Sequence, residues 1–459
     1  MTLRFALPWL LVLLTTVAGC GSDEDDDPGT AASTGGPSQP DPPTWTDAPT
    51  GRLPIGQGQS LSLPLTLVYD GDVQSALVAA PPGIEAGVSP DASKLDIYAT
   101  YNTVRLSTAV GVELPNPPGP NVTYAVSLDV RPIAWRPPCT CPTAAGPEAR
   151  EHAAVVVDDP GRQVFMLGGS GYMPQFVPLA DFWRYDLDTG DWTEVTPTGD
   201  VPQAAGSRRV AGSAEPGVSY MFGGYGEGNV NFDELYRVRV DGQSLTFTLL
   251  DQENGPSARS LHGFAYDAVA DRYVMFGGAS TKPLDDLWTM TIAGDVATWA
   301  EVAPAVAPSA RYGFFYGVDE ALGRLYLFSG AQGFAAVDPA PDTWMLDLRA
   351  DPPAWTLLLE GDDVTPPGRR NGCTVFDPSG PRMFVFGGTP DGANSTPGLW
   401  VFDARPDHAR WEQLVRDGEP HIRSSGFGFY DPTTGRSQMG FGNDAGIYRD
   451  WNIVGYAAP

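Results

Sequence analysis

Short runs in which apolar and polar residues alternate fill most of the chain, and Gly, Pro, Asn or Asp interrupts them before they exceed the length of a strand. Period-two alternation puts one side of each run in a core and the other towards a neighbour or solvent. The runs are rich in β-branched and aromatic residues, as in Tyr273-Val274-Met275-Phe276, which is strand chemistry. No amphipathic helical window of useful length competes with them. An all-β chain is predicted.

One stretch, Ser257–Val302, shows the organising unit most fully. It runs Ser257-Ala258-Arg259, an alternating segment to Asp267, a turn to Arg272, an apolar run ending in Gly277-Gly278, then Asp286, Trp288 and Trp299. The same order of signals recurs six times. Aligned on the end of the second apolar run, the markers are Gly168-Gly169, Gly223-Gly224, Gly277-Gly278, Ser329-Gly330, Gly387-Gly388 and Gly442-Asn443, spaced 55, 54, 52, 58 and 55 residues apart. That period fits one four-stranded propeller blade and exceeds the common helical solenoids.

The chain here resembles the Kelch repeat family. The double Gly is followed by a first aromatic at Trp183, Tyr236, Trp288, Trp344, Trp400 and Tyr448, and by an outer Trp at Trp192, Trp299, Trp355 and Trp411, with Leu245-Thr246-Phe247 replacing it in the second repeat. The resemblance covers residues 132–459 and implies a six-bladed β-propeller around a central channel. The last repeat ends without an outer strand, which would leave a sheet edge open. Trp135 precedes Arg150 by 15 residues, as the outer Trp precedes the next Arg by 16, 12, 14 and 12 elsewhere. The segment around Trp135 is therefore expected to complete the sixth blade.

Residues 1–19 combine Arg4, an apolar stretch and small residues, the pattern of a secretory signal. Val17-Ala18-Gly19-Cys20 resembles the bacterial lipobox, which implies cleavage before Cys20, acylation of that cysteine and a lipid-anchored envelope protein, on the outer membrane since no Asp follows the cysteine. Residues 20–50 are acidic and then Pro/Gly-rich, and are read as a disordered tether. Residues 51–131 alternate in short runs and are expected to form a small β-sandwich that loosely resembles immunoglobulin-like modules, without a Cys pair or a core Trp. The chain of 459 residues carries a net charge of −28, which argues against nucleic acid as a partner.

Each repeat opens with an arginine: Arg150, Arg208, Arg259, Arg311, Arg369 and Arg423. Two roles are open for them, hydrogen bonding to loops and neighbouring carboxylates, or an anion-binding rim on the channel. Asp181, Glu234, Asp286 and Asp342 stand two residues before the repeat aromatic, and Gly398 and Gly446 replace them in the last two repeats. Recurrence of this kind indicates architecture. The Asp267/Arg272, Asp319/Arg324, Asp377/Arg382 and Asp431/Arg436 pairs are read as exposed turn closures worth about 0–1 kcal/mol each. Cys139 and Cys141 could form a strained local disulfide, and Cys373 is read as a buried free thiol.

No metal or cofactor motif emerges from His152, His262, His408 and His421, and no catalytic residue is assigned. The leading expectation is a monomeric, lipid-anchored binding or scaffold protein of the cell envelope, taking a protein or carbohydrate ligand. Its loops Gly171–Ala180, Tyr225–Asn231, Gln332–Pro341 and Thr389–Pro397 should gather on one face and read the partner. The alternative is an envelope carbohydrate enzyme of the mutarotase or isomerase kind, since some six-bladed Kelch proteins act on acidic sugars; it predicts His, Glu and Arg converging in a channel pocket.

Overall fold

The structure is a computed structural model. It describes residues 43–459 apart from 69–76, 90, 92, 102–106, 115–120, 132, 137–145, 173–175, 335–338, 363, 393, 406–407, 415–418, 445–450 and 457–459. Cys20, Cys139, Cys141, Gly446 and Tyr448 lie outside the described residues.

The third blade sets the pattern. Gly263–Asp267, Arg272–Ala279, Pro283–Ala293 and Val296–Val302 pair antiparallel in chain order, from the channel outwards. Equivalent four-strand ladders begin at Ala154–Asp158, Arg209–Ala211, Phe315–Asp319 and Cys373–Asp377. In the sixth sheet Phe427–Asp431, Arg436–Gly440 and Trp451–Tyr456 are joined on the outside by Ile133–Arg136, with Trp135 opposite Val454. Blades two and three each carry a short extra strand, Thr198–Gly199 and Asp251–Glu253, pairing parallel with the outermost one. These cover edges that would otherwise expose a row of unpaired amides.

The second strand of each blade is packed on both faces, and its sequence shows it. Gln163–Leu167, Val218–Phe222 and Arg382–Phe386 are buried at every position, so they read as continuous runs rather than alternating ones. Their side chains build six apolar clusters, one at each junction between successive blades including six with one. The outer Trp is the wedge of five junctions, and Phe247 takes its place between blades one and two, where it meets Phe182 at 5.3 Å. Trp299 meets Phe222 of blade two at 5.4 Å, Trp355 meets Phe276 of blade three at 4.9 Å, and Trp411 meets Phe328 of blade four at 4.7 Å. Trp192 meets Phe441 at 6.0 Å, and Trp135 meets Phe386 of blade five at 5.2 Å. Edge-on aromatic contacts of this type add about 0.5–1.5 kcal/mol beyond the area they bury.

Ahead of the propeller, Arg52–Gly56, Val122–Arg131, Ser107–Leu114 and Leu77–Ala79 form one sheet, and Ser60–Pro64, Lys94–Ala99 and Ile84–Val88 another. The two share a single core. That core begins earlier than the composition suggested. Thr44–Trp45 pairs with Leu67–Val68, and Trp45 is buried among the core residues, so this sheet pair has a core Trp drawn from the stretch read as tether. The sandwich also packs directly on the propeller. Arg382 donates to Gln57 O at 2.8 Å, Gln57 Oε1 accepts from the Ile133 amide at 2.8 Å, and Tyr98 donates to Asp403 at 3.0 Å beneath the Arg405 guanidinium. Cys373 is buried within the cluster between blades five and six, its thiol directed at Gly440 O at 3.9 Å.

Two readings need correction. The turn aspartates Asp267, Asp319, Asp377 and Asp431 are buried rather than exposed. They accept amide hydrogens of their own turns, as Asp267 does from Val269 and Ala270, and Asp431 is held by Arg162 of blade one at 2.7 Å. In the sixth repeat the glycine pair is represented by Phe441-Gly442, one residue earlier than Gly442-Asn443. The evidence is a ring of six hydrogen bonds. The amide of the second residue in each pair, Gly169, Gly224, Gly278, Gly330, Gly388 or Gly442, donates to a carbonyl at the start of the following blade at 2.9–3.0 Å.

Those six glycines have φ between +87° and +115°, a conformation that side chains rarely adopt. At Gly278 an added Cβ would also stand 2.8 Å from both His262 Cβ and Ser260 O, whereas at Gly294 it would meet nothing. Gly278→Ala is expected to cost at least ~2 kcal/mol and Gly294→Ala no more than ~1 kcal/mol, measured by denaturant unfolding of the two variants.

Candidate functional site at the loop-face mouth of the channel

Five of the six repeat arginines occupy one structural position. Arg150, Arg259, Arg311, Arg369 and Arg423 each donate from Nη1 to a carbonyl 18 residues ahead, at 2.9–3.2 Å. Arg208 reaches the equivalent carbonyl, Gly223 O, at 2.9 Å from a position three residues further along the chain. Ala205 occupies the regular position there, since its carbonyl accepts from Gly169 as that of Arg259 accepts from Gly224. The sign of this was the longest Trp-to-Arg spacing, 16 residues from Trp192.

In blades one, three and four the guanidinium is closed by a two-oxygen ion pair. Arg150 binds Asp181 at 2.6 and 2.7 Å, Arg259 binds Asp286 at 2.7 and 2.7 Å, and Arg311 binds Asp342 at 2.7 and 2.9 Å. The repeat indole completes each group, with Trp183, Trp288 and Trp344 donating to the same carboxylates at 2.6–2.7 Å. In blade two Arg208 instead lies over the rings of Phe232 and Tyr236. The arginines therefore do not converge on the channel as an electropositive rim. Each is buried within its own blade, with its Nη1 turned to that blade's backbone.

What does line the channel is backbone. His152, Ser207, Leu261, Gly313, Asn371 and Ser425, one per blade, all have φ between +54° and +63°. Their amides and carbonyls pair around the axis: His152 with Ser425, Ser207 with His152, Gly313 with Leu261, Asn371 with Gly313 and Ser425 with Asn371. This collar divides two cavities, since His152 and Leu261 line both. The lower one, about 330 Å³, is walled by the inner strands.

The upper cavity, about 450 Å³, is built from residues that the repeat does not prescribe. Phe176 and Tyr225, from loops of blades one and two, meet at 5.2 Å, while Tyr312 and Phe334 of blade four meet at 5.4 Å. Between them lie Asn229, Asn231 and three serines, with Glu151 at the floor. Three of the four loops expected to read a partner contribute here, and Thr389–Pro397 does not line the cavity. The Asn231 Oδ1 atom is buried without a hydrogen bond. Glu151 is raised to about 7 by burial, against the opposing hydrogen bonds of Asn443 and Ser425.

A family model, the KLHDC2/KLHL20/DRC7 Kelch-repeats domain, matches residues 214–429. Residues 214–429 therefore carry Kelch repeats. Among curated relatives, rice Adagio-like protein 1 is 25% identical over 304 residues, 63% of this chain and 46% of that protein. Human Kelch domain-containing protein 2 is 30% identical over 146 residues, 30% of this chain and 34% of that protein. The chain thus spans less than half the length of the curated relatives it matches. Among solved structures, YjhT superposes with a TM-score of 0.51 at 12% identity, over 69% of this chain and 99% of that one.

Within this Kelch propeller the two inner-strand histidines play different parts. His152 sits on the collar, and burial together with Arg209 depresses it to about 3, so it is neutral. His262, one position further along its strand, is fully buried and well below its usual value through burial and the nearby Arg259 and Arg209. Neither ring nitrogen of His262 has a partner. Glu151, His152 and Arg209 come close at the collar, but no hydrogen bond among the described residues joins them, and Arg209 Nε donates to His262 O at 3.1 Å. No cluster of three or more metal-ligating side chains occurs among the described residues.

The Arg259–Asp286 pair has a pH signature. Burial would raise Asp286, but the hydrogen bonds and charge of Arg259 and the Trp288 indole more than offset it and hold the carboxyl below its usual 3.8. A carboxyl depressed in the folded state stabilises above its unfolded pKa, and that contribution is lost as pH falls through the folded value. Asp286→Asn is expected to cost about 2–4 kcal/mol at pH 7, because it leaves a buried guanidinium unpaired. Urea unfolding of both proteins at pH 7 and pH 3 should show the difference shrinking at the lower pH.

Proposed function

We propose that this chain is a binding protein, with a protein ligand held over the loop-face mouth of the propeller channel. The supporting observation is that four aromatic side chains outside the repeat pattern, Phe176, Tyr225, Tyr312 and Phe334, surround Glu151 and Asn231 there. Rigid aromatic groups bury large area at low entropic cost, and a few polar groups among them set orientation. Kelch propellers commonly bind proteins, which agrees with this use of the face. Because Trp45 belongs to the sandwich core, the soluble probe should span 43–459. On protein and glycan arrays, Tyr225→Ala with Phe334→Ala is expected to weaken the strongest protein signals by about 10–100-fold while the unfolding temperature is kept. Equal binding by both forms, or signals confined to glycans, would remove this reading.

We further propose that the mature chain is tethered to the cell envelope through lipid on Cys20, with the acidic segment after it as spacer. The support is the Val17-Ala18-Gly19-Cys20 sequence at the end of an apolar leader. Multiple acyl chains give a durable anchor where one gives only reversible attachment. Cys20→Ser is expected to abolish incorporation of labelled palmitate and to move the protein from the membrane pellet to the soluble fraction.

A further inference from the structure

Blade five keeps the donors of the Arg–Asp–Trp arrangement and lacks its acceptor. In blades one, three and four a carboxylate two residues before the repeat Trp receives both guanidinium nitrogens and the indole N–H. In blade five that position is Gly398. Arg369, fully buried, donates Nε to Pro367 O at 3.0 Å and Nη1 to Gly387 O at 3.2 Å, and Nη2 makes no hydrogen bond. Trp400 Nε1 is likewise buried with no partner. A Cβ built on Gly398 would stand 3.3 Å from that indole nitrogen and 2.7 Å from the Gln413 amide nitrogen, so the donors border the space that the missing side chain would fill.

No acid of the described residues compensates. Arg369 makes no ion pair, and the Glu419 carboxylate is occupied by the Leu399 amide at 3.0 Å. Burial, with no carboxylate to offset it, lowers Arg369 to about 10. A buried guanidinium left alone is costly, and a charged acceptor is its strongest remedy. The position is open to solvent in the blades that fill it, where the aspartates keep 26%, 20% and 15% side-chain exposure.

We propose that blade five is a carboxylate-binding site, in which an acid supplied from outside the chain sits between Arg369 and Trp400 as aspartate does in blades one, three and four. Specificity is local: the −28 net charge opposes anions at long range, so the site selects a planar two-oxygen group that fits the fork and the indole together. The carboxylate comes either from a small free acid or from an acidic side chain of a bound protein.

Acetate titrated into the 43–459 chain at constant ionic strength, with chloride as the counter-titrant, is expected to raise the unfolding temperature saturably by roughly 2 °C or more. It should also shift the Trp400 indole proton–nitrogen resonance. Trp400→Phe, which leaves Arg369 and the core ring in place, should weaken acetate binding at least five-fold. Asp286→Gly should build the same vacancy in blade three and become sensitive to acetate in turn. An acetyl-Gly-Asp-Gly-amide peptide that displaces acetate, while its Gly-Gly-Gly counterpart does not, assigns the source to a protein side chain; acetate binding alone assigns it to a free acid. The proposal is overturned if acetate acts no differently from chloride, if the Trp400 resonance stays fixed, or if Trp400→Phe responds as the parent does.

Discussion

A single backbone contact, repeated six times, carries the ring. The amide that follows each second strand donates to the carbonyl that opens the next blade, and only a residue with φ near +100° and no side chain can bring the two backbones together. The first position of the pair is less constrained. Ser329 and Phe441 occupy it with φ of +57° and +56°, so four glycine pairs and two substitutes give the same joint. Around this joint the arginine fixes the carbonyl on the near side, and the outer Trp fills the wedge on the far side. Hydrogen bonding and apolar burial therefore act at the same seam.

The buried charges belong to this seam. Bringing a guanidinium out of water is costly unless its protons are all taken, and blades one, three and four meet that demand with a carboxylate that also accepts the indole proton. Blade two meets it with aromatic faces, and Glu234 Oε2 is left buried without a partner as a result. Blade five does not meet it from within the chain. Repetition thus makes departures visible: four repeats treat the position as acidic and two leave it as glycine, and blade five stands out because it keeps the arginine, its carbonyl partner and the tryptophan around the gap.

The sandwich and the propeller share polar as well as apolar contacts. The Gln57 side chain receives the amide of Ile133, in the strand that closes blade six, while its carbonyl receives Arg382 of blade five. Tyr101 joins Trp135 and Cys373 in the cluster at that junction. The strand that completes the ring is therefore held from the sandwich side and from the sheet it joins, which ties the closure of the propeller to the packing of the domain before it.

The periodicity, the all-β class, the glycine pairs and the candidate outer strand at Trp135 were legible along the chain, because each rests on local chemistry: strand alternation, backbone freedom at glycine, and the spacing of a wedge residue. The sequence by itself also named four loops that vary, since each follows the glycine-pair position of its repeat. Tertiary structure alone decided where the arginines point, because a guanidinium on a six-atom arm can face a channel or its own blade with the same spacing. It alone showed that Arg208 serves from a shifted position, that Trp45 belongs to the sandwich core and that the turn aspartates are buried. Loops from blades one and two joined blade four over the collar to make the cavity, and nothing in the linear order of these residues states that they meet. Such pairings depend on distances across the ring, which local pattern does not encode.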